Sequence, residues 1–344
     1  MPDVMHDVAR LEPVPIEHAL TVPFAIAGGG MDTARAVIVR VELIDGAIGL
    51  GECAPFPAVS GETVESSLAA LQAVEQHGAA ALATAPAARC GLEQALLDAR
   101  LRAAGRSVLD WMPPAAATIE TDLTLPVGPL DRALAFVDDA VRQGFRTLKV
   151  KVGGHALADD AALVTRIHAA FPGLELLLDG NAAYDLDAAR ELLRLLADVP
   201  IALLEQPLPR DDLDGAATLQ AGTDVVVCLD ESLRTVADLD AILRRPILRS
   251  INVKTMKLGL EPAVEVLRRA ADAGLSCMVG GMVESRLSMT ISAALAMHRP
   301  DVVRHVDLDT PLFMRPGPIA GGIVYDGPTI SMPPGIVGHG CSLR

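Results

Sequence analysis

The amino-acid sequence predicts an α/β protein, a (β/α)7β barrel accompanied by a smaller α+β domain. After residue 115, short runs rich in leucine and β-branched residues alternate with amphipathic stretches of helical length, and the runs recur every 24 to 27 residues. That period is the length of one strand, one helix and two short loops. The runs are apolar almost throughout, which is typical of parallel strands covered on both faces. Parallel strands in such a repeat favour closure into a barrel.

The first 115 residues follow a different pattern. The segments ARAVIVRVEL and AIGLGEC flank IDG, which indicates an antiparallel hairpin that turns at Asp45 and Gly46. Helices are expected at about 62–77 and 91–105, before the proline- and alanine-rich connection MPPAAAT. We therefore expect residues 1–115 to form a separate α+β domain.

The barrel is expected in residues 116–310. Its eight strand-like runs begin near residues 121, 147, 174, 201, 225, 250, 276 and 302. The last segment, 311–344, contains the hairpin pattern GGIVYDGPTISM and is expected to return to the first domain. An open doubly wound sheet is the alternative, but it would bring a glycine-rich phosphate loop after an early strand. The glycines of AGGGMD at 27–32 lie outside the repeat and lack GxGxxG spacing.

Composition argues against several classes of function. A net charge of −15 argues against a nucleic-acid partner, and no run of lysine and arginine marks a membrane-binding surface. The five cysteines are scattered and never in CxxC spacing, so we expect buried thiols. There is no signal-peptide pattern and no stretch of 18 uncharged apolar residues, which predicts a cytoplasmic protein.

Charged residues end five successive strands of the repeat at the same phase. Strand two ends in TLKVKV, with Lys149 and Lys151 on one face, and the next four strands end with Asp179, Glu205, Asp230 and Lys254. The carboxyl ends of barrel strands meet at one mouth, so we expect these side chains to converge. Capping of the next helix would explain any one carboxylate, but three in phase with lysines favour a shared site.

Three close carboxylates, Asp179, Glu205 and Asp230, repel one another unless a cation lies among them. A few oxygen ligands favour Mg²⁺ over Ca²⁺, with Mn²⁺ as the usual substitute. Lys151 and Lys254 enter from opposite sides, and a second ammonium and a metal ion nearby are expected to lower a lysine pKa toward neutrality. A carboxylate substrate bound to the ion would lose its α-proton to one lysine and regain a proton from the other. The predicted reaction is a 1,1-proton transfer that yields an epimer.

With these residues identified, the chain resembles the enolase superfamily, in its muconate-lactonizing-enzyme branch. The resemblance covers nearly the whole chain, from the N-terminal hairpin and helices to the KxK pattern at 149–151, the three carboxylates and Lys254 in INVKTMKLGL. It implies a modified TIM barrel with a capping domain formed by the N-terminal segment and the C-terminal tail. Sites of this superfamily pair a lysine or histidine base with Mg²⁺. The resemblance also implies that Lys149 is an auxiliary, which lowers the pKa of Lys151 and contacts the substrate carboxylate.

Strand eight ends in HVDLDTP, which places Asp307 and Asp309 on one face. Two more carboxylates require a cationic partner, and a substrate ammonium would supply it. The pair resembles the DxD of dipeptide epimerases, which implies that it holds the free amine of a dipeptide while the C-terminal residue is epimerised. Capping of the turn before Pro311 is the alternative explanation.

The resemblance also implies a side-chain pocket between FAIAGGGMDTA at 24–34 and APFPAVSGE at 54–62. Relatives that act on L-Ala-Glu have an arginine in the first loop, and no arginine lies between Phe24 and Thr33 here. An acidic second residue of the dipeptide is therefore not expected. The residues expected to line the pocket are Phe24, Ile26, Met31 and Phe56 for an apolar side chain, with Asp32 for a cationic one.

Other functions share parts of this pattern. N-succinylamino-acid racemases, o-succinylbenzoate synthases and lactonizing cycloisomerases use the same framework, although an acidic pair at strand eight is an odd choice for anionic substrates. A mandelate-racemase-type base would be a histidine on strand seven, where CMVGGMVES has none. A Schiff-base aldolase would not need three carboxylates, and a ligand-binding protein would not need both lysines. Asn181 and Glu231 are candidates for residues behind the metal ligands. Glu284 has no role that the sequence assigns, His305 is expected to pack or bond locally, and a homo-oligomer stays open.

Overall fold

The computed structural model describes residues 5–26 and 29–344, and the side chains of residues 23–30 lie outside that description. The chain begins with an antiparallel sheet of strands β1 (Val8–Ile26), β2 (Gly29–Leu43) and β3 (Ile48–Cys53). The predicted turn between β2 and β3 is confirmed, since Gly46 has a φ of 88° and Asp45 Oδ1 accepts the N–H of Ala47. Glycine adopts a positive φ without steric cost, so the local sequence determines this turn.

Helices pack on one face of this sheet. They are α1 (Pro57–Ser60), α2 (Val64–His77), α3 (Pro86–Ala103) and α4 (Val108–Trp111), with a 3-10 helix at Gly78–Leu82. Helix α3 begins five residues before the predicted start. Pro86 suits a first helical turn because its fixed φ is already helical. The Glu62 carboxylate then accepts the N–H groups of Ala87 and Ala88, which would otherwise lack partners.

Within the described residues, eight parallel strands form one sheet whose order follows the chain. They are β5 (Leu123–Leu125), β6 (Thr147–Lys151), β7 (Glu175–Asp179), β8 (Ile201–Glu205), β9 (Val226–Leu229), β10 (Ser250–Val253), β11 (Ser276–Gly280) and β12 (Val303–Asp307). The sheet is nearly closed, since the N–H of Asp122 donates to the Val306 carbonyl across the seam between β5 and β12 at 2.9 Å. The predicted (β/α)7β barrel is confirmed.

Helices cover the outside of the barrel between successive strands. They are α5 (Leu130–Arg142), α6 (Leu157–Ala170), α7 (Leu186–Leu195), α8 (Leu213–Ala221), α9 (Val236–Leu243), the short α10 (Thr255–Leu258), α11 (Leu260–Asp272) and α12 (Arg286–His298). Among the described helices, none combines the length and apolar character that crossing a membrane requires.

Apolar side chains fill both sides of the barrel wall. Leu148 and Val150 of β6 belong to the large cluster between the strands and the helices. Leu177, Leu203, Cys228 and Met278 form a separate small cluster. Because successive side chains of a strand point to opposite faces, this second cluster fills the barrel interior. The polar residues of the cavity therefore lie above this apolar layer, toward the carboxyl ends of the strands. All five cysteines are buried and free, as the sequence predicts.

The C-terminal segment carries a 3-10 helix at Thr310–Phe313 and the short strands β13 (Ile319–Gly321), β14 (Val324–Asp326), β15 (Thr329–Ser331) and β16 (Cys341–Leu343). The predicted hairpin is β14–β15, and it pairs with β4 (Thr118–Glu120) just before the barrel. The return to the N-terminal sheet comes later. His339 Nε2 lies 2.8 Å from the Leu50 carbonyl oxygen, and Arg102 donates to the Cys341 carbonyl at 2.7 Å.

Candidate active site

All but one of the charged residues predicted at the strand ends line one cavity at the barrel mouth. Its volume is about 480 Å³, and its polar lining consists of Thr124, Lys149, Lys151, Asp179, Asn181, Asp230, Glu231, Lys254, Asp307, Asp309 and Thr310. Phe56 reaches into the same cavity from the N-terminal domain. Glu205 is fully buried and does not line the cavity. Lys151, Asp179 and Glu205 are register partners on neighbouring strands, which is why residues at one phase of the repeat share one level.

Lys149 is a buried counterion for three carboxylates. Its Nζ lies 3.3 Å from Asp179 Oδ2, 2.8 Å from Glu205 Oε2 and 2.7 Å from Asp307 Oδ2. Burial alone would lower the pKa of Lys149, but these carboxylates outweigh burial and raise the pKa well above its usual value. Lys149 is therefore charged at neutral pH.

Lys151 and Lys254 approach the cavity from opposite sides. Lys151 ends β6 and Lys254 follows β10, four strands further around an eight-stranded barrel. The Lys151 ammonium lies 3.3 Å from Asp179 Oδ2 and donates to Asn181 Oδ1 at 3.0 Å. The Lys254 ammonium lies 2.8 Å from Asp230 Oδ2.

The expected lowering of the lysine pKa is not found for Lys254. Burial lowers its pKa, but Asp230, Glu205 and Asp307 together raise it by more, and the net result is a pKa above the usual lysine value. The sequence-based expectation weighed the positive neighbours of a lysine and neglected the carboxylates. A divalent cation on those carboxylates would offset their charge, and this is the condition under which a lysine pKa falls.

The chemistry of the predicted ligands fits Mg²⁺. Burial raises the pKa of Asp179, yet Lys149, Lys151 and Lys254 outweigh it and lower the pKa to about 2, so this carboxylate is ionised. Glu205 Oε2 is buried and accepts no hydrogen bond from a described residue, although the Lys149 ammonium lies nearby. Burial raises the pKa of Glu205, and a divalent cation bound beside it would favour the ionised form. Carboxylate oxygens of this kind are what a hard divalent ion binds.

The tightest group of three carboxylates in the described chain is a different one. Oxygen atoms of Asp122, Asp307 and Asp309 lie within 4.8 Å of one another. The predicted ligands Asp179 and Glu205 are instead bridged by the Lys149 ammonium. Their role as metal ligands stays a prediction.

Lys257 is a site residue that the sequence analysis missed. Its buried ammonium donates to Asp230 Oδ1, to the Asp230 carbonyl oxygen and to the Asn252 carbonyl oxygen. The sequence KTMK contained a signal for this residue. Lys257 lies three residues after Lys254, and residues three apart at a helix start lie on one face. Lys257 contacts Asp230 Oδ1, while Lys254 contacts Oδ2.

The proposed residues behind the ligands are in contact. Asn181 Nδ2 donates to Glu231 Oε1 at 3.4 Å, and the Asn181 N–H donates to Asp179 Oδ1. Burial and the nearby Asp230 raise the pKa of Glu231 to about 7. His305 lies apart from the cavity lining, 3.8 Å from Glu175 Oε2.

Three of the five residues expected in the specificity pocket have described side chains. Phe56 lines the main cavity, while Met31 and Asp32 line a neighbouring cleft of about 1170 Å³ that also touches Phe56. The side chains of Phe24 and Ile26 lie outside the described residues. An apolar pocket of about 420 Å³ beside Lys151 was not predicted, and its lining includes Leu20, Val22, Pro126, Val127, Val283 and Phe313.

Fold and cavity suit an enzyme of the racemase and epimerase type, and comparison with known proteins identifies the chain as an isomerase of this class. The chain belongs to the mandelate racemase/muconate lactonizing enzyme family of the enolase superfamily. Residues 12–112 match the mandelate racemase/muconate lactonizing enzyme N-terminal domain, and residues 132–344 match the enolase C-terminal domain-like family.

Named relatives span nearly the whole chain. An aromatic dipeptide epimerase from Herpetosiphon aurantiacus is 39% identical, covering 94% of this chain and 95% of the relative. An L-Ala-D/L-Glu epimerase from Bacillus subtilis is 32% identical over 98% of both chains. The solved structure of a dipeptide epimerase from Enterococcus faecalis, complexed with Mg and the dipeptide L-Leu-L-Tyr, is 27% identical. Its TM-score is 0.91, with 98% of this chain and 99% of that chain covered.

Proposed function

We propose that this protein is a Mg²⁺-dependent dipeptide epimerase that inverts the α-carbon of the C-terminal residue. The observation that carries the proposal is the approach of Lys151 and Lys254 to one cavity from opposite sides, with ionised carboxylates between them. A single base would return a proton to the face it came from. Two bases on opposite faces allow inversion.

Asp179, Glu205 and Asp230 would hold the Mg²⁺ ion, with Mn²⁺ as a substitute. When bound, the ion supplies positive charge that offsets the charge developing on the substrate carboxylate as the C–H bond breaks. Lys151 removes the α-proton of one epimer and Lys254 delivers a proton to the opposite face, and the two exchange roles for the other epimer. Asn181 orients Lys151 by accepting its hydrogen bond. Lys149, permanently charged, attracts the substrate carboxylate.

Asp307 and Asp309 would bind the free amine of the dipeptide. Both carboxylates line the cavity, and the Thr124 N–H donates to Asp309 Oδ2 at 2.6 Å, which fixes one oxygen in place. An ammonium supplies charge-assisted hydrogen bonds that two neighbouring carboxylates require. Asp309 would thus select dipeptides over N-acylated amino acids.

The apolar pocket beside Lys151 supports a hydrophobic or aromatic side chain on the substrate. Its lining includes Leu20, Val22, Val127 and Phe313, and no carboxylate or arginine contributes to it among the described residues. Burial of an aromatic ring there is favourable in proportion to the apolar area removed from water. Two of the similar proteins named above support the same preference. One is named an aromatic dipeptide epimerase, and the other has L-Leu-L-Tyr bound in its structure. A cationic side chain facing Asp32 in the neighbouring cleft is the second preference.

The test is incubation of the Mg²⁺-loaded protein with a library of L,L-dipeptides in D₂O. We expect one mass unit of deuterium at the α-carbon of the C-terminal residue, with inversion, and faster exchange for L-Ala-L-Phe than for L-Ala-L-Glu. A protein lacking both Lys151 and Lys254 is the control and should exchange nothing. Turnover of Ala-Glu alone would contradict the side-chain preference, and exchange insensitive to EDTA would contradict the metal-assisted reaction.

A further inference from the structure

A group of three buried carboxylates lies at the seam where the barrel closes. Oxygen atoms of Asp122, Asp307 and Asp309 are all within 4.8 Å of one another. Asp122 comes just before β5, and its N–H donates to the Val306 carbonyl, which holds it beside Asp307. Only 2% of Asp122 and 1% of Asp309 is exposed to solvent.

The Asp122 carboxylate has no hydrogen-bond partner among the described residues, and the charge of Lys149 offsets its burial only in part. Neither of its carboxylate oxygens accepts a hydrogen bond from any residue in the described ranges. By contrast, Asp307 lies 2.7 Å from the Lys149 ammonium, and Asp309 accepts the Thr124 N–H. Burial, followed by the charges of Asp307 and Asp309, raises the pKa of Asp122 well above its usual value. A buried carboxylate without a hydrogen-bond partner either holds a proton or binds a cation, and a bound cation would ionise Asp122.

The three oxygens are close enough to contact one cation. An atom at the centre of three points no more than 4.8 Å apart lies at most about 2.8 Å from each of them. Charge-assisted N–H···O bonds of about 2.7–2.9 Å reach that limit. An ammonium already lies beside this group, since Lys149 Nζ is 2.7 Å from Asp307 Oδ2. The spacing is therefore compatible with a singly charged cation of ammonium size.

We propose that Asp122 completes a three-carboxylate site, with Asp307 and Asp309, for a singly charged cation of ammonium size, which the N-terminal ammonium of the substrate provides. The assignment to substrate rests on the proposed function. An ammonium has three N–H groups, and three converging carboxylates accept all of them. Asp122 lies behind the cavity lining, so it acts on the deepest N–H and rejects amines that carry an acyl group.

Asp122→Asn tests this proposal because it removes the ionisable group, and no hydrogen bond from a described residue to the Asp122 carboxylate is lost. We expect Tm to stay at or above that of wild type, since burying this carboxylate beside Asp307 and Asp309 costs stability whether it is ionised or holds a proton. For L-Ala-L-Phe we expect KM to rise about tenfold or more, with kcat changed less than about threefold. Binding of N-propionyl-L-Phe, which has the same shape without the amine, should be unchanged.

Asp98→Asn is a matched control from another buried carboxylate. Asp98 accepts hydrogen bonds from the N–H groups of Leu50 and His339 and pairs with Arg102. Its substitution should lower Tm. It should not alter the ratio of the KM for L-Ala-L-Phe to the Kd for N-propionyl-L-Phe. If Asp122→Asn also lowers Tm and leaves that ratio unchanged, Asp122 is structural and the proposal is overturned.

A second measurement separates the sources of the cation and does not depend on turnover. Methylammonium and K⁺ are titrated into wild type and Asp122→Asn, and Tm is followed. Stabilisation of wild type alone by methylammonium supports the site even if no dipeptide is epimerised, in which case only the proposed function fails. If K⁺ stabilises wild type and is required for turnover, the site holds an inorganic ion and the assignment to the substrate amine is wrong. If neither cation distinguishes the two proteins, there is no cation site.

Discussion

Glu52 on β3 accepts two hydrogen bonds from Ser285, the residue that precedes helix α12 of the barrel. The Ser285 N–H lies 2.9 Å from Glu52 Oε1, and the Ser285 hydroxyl lies 2.6 Å from Oε2. The first N–H groups of a helix have no partner within the helix, and here a carboxylate from the N-terminal sheet supplies one. Ser285 lies two residues after Val283, which lines the cavity. The contact between the two parts of the chain therefore also supports the cavity wall.

Glu52→Ala is expected to lower the free energy of unfolding by about 2–4 kcal/mol, because it leaves several buried donors of helix α12 unsatisfied. Urea unfolding measures the change. Glu17→Ala is the control, since Glu17 pairs with Arg35 at 3.1 Å but is largely exposed, and a change below about 1 kcal/mol is expected there. Equal losses in the two variants would contradict the role assigned to Glu52.

Lys257→Met is expected to weaken Mg²⁺ binding, although Lys257 does not line the cavity. Without its ammonium, the buried Asp230 loses the contact that orients its Oδ1 atom, and removing one partner of a buried pair costs about 3–5 kcal/mol of stability. Calorimetric titration with Mg²⁺ and urea unfolding measure the two effects. Lys254→Met is the comparison and should abolish epimerisation while retaining more of the Mg²⁺ affinity. Unchanged Mg²⁺ binding in Lys257→Met would contradict the role assigned to Lys257 in orienting Asp230.

Replacing one lysine at a time should separate proton exchange of one epimer from that of the other. Lys151→Ala is expected to exchange the α-proton of one epimer of a dipeptide with D₂O, and Lys254→Ala that of the other epimer, with inversion reduced at least about 10²-fold in both. Proton NMR of each pure epimer in D₂O follows the exchange. Should both variants exchange the same epimer, the two lysines act on one face and the proposed inversion has no basis.

Glu284 is expected to make stability depend on pH. Burial, opposed by hydrogen bonds from Ser288 and Met282, raises its pKa from 4.5 to about 7. Because the folded pKa is above the unfolded one, the folded state holds the proton more tightly between these values. Stability should therefore fall as pH rises from about 4.5 to about 7, by a total on the order of 3 kcal/mol.

Glu284→Gln tests this dependence. The amide keeps an acceptor for the Met282 N–H, found at 2.7 Å from the carboxylate, but does not titrate. Free energies of unfolding at pH 5, 6, 7 and 8 should decline less steeply in the variant than in wild type. Parallel curves for the two proteins would assign the pH dependence to another group.

Local pattern was sufficient for much of the fold. The hairpin at Gly46 and the one at β14–β15 follow from Asp-Gly pairs whose glycine has a positive φ, and the barrel follows from the repeat length and the apolar strands. The convergence of charged residues at one mouth follows as well, because parallel strands in register place equal phases at equal height. None of these inferences requires knowledge of which distant side chains meet.

Pairings across the chain were decided only by the tertiary structure. The contact between Glu52 and Ser285 joins residues far apart in sequence. The lack of a hydrogen-bond partner for the Asp122 carboxylate likewise depends on which distant residues surround it. No local period in the sequence encodes either feature. The raised pKa of Lys254 belongs to the same class, since it depends on which carboxylates lie within a few ångströms in a buried site. Backbone preferences act between neighbours along the chain, so the sequence determined the elements and their order. Electrostatic and hydrogen-bond energies depend on distances in space, which only the packed barrel specifies.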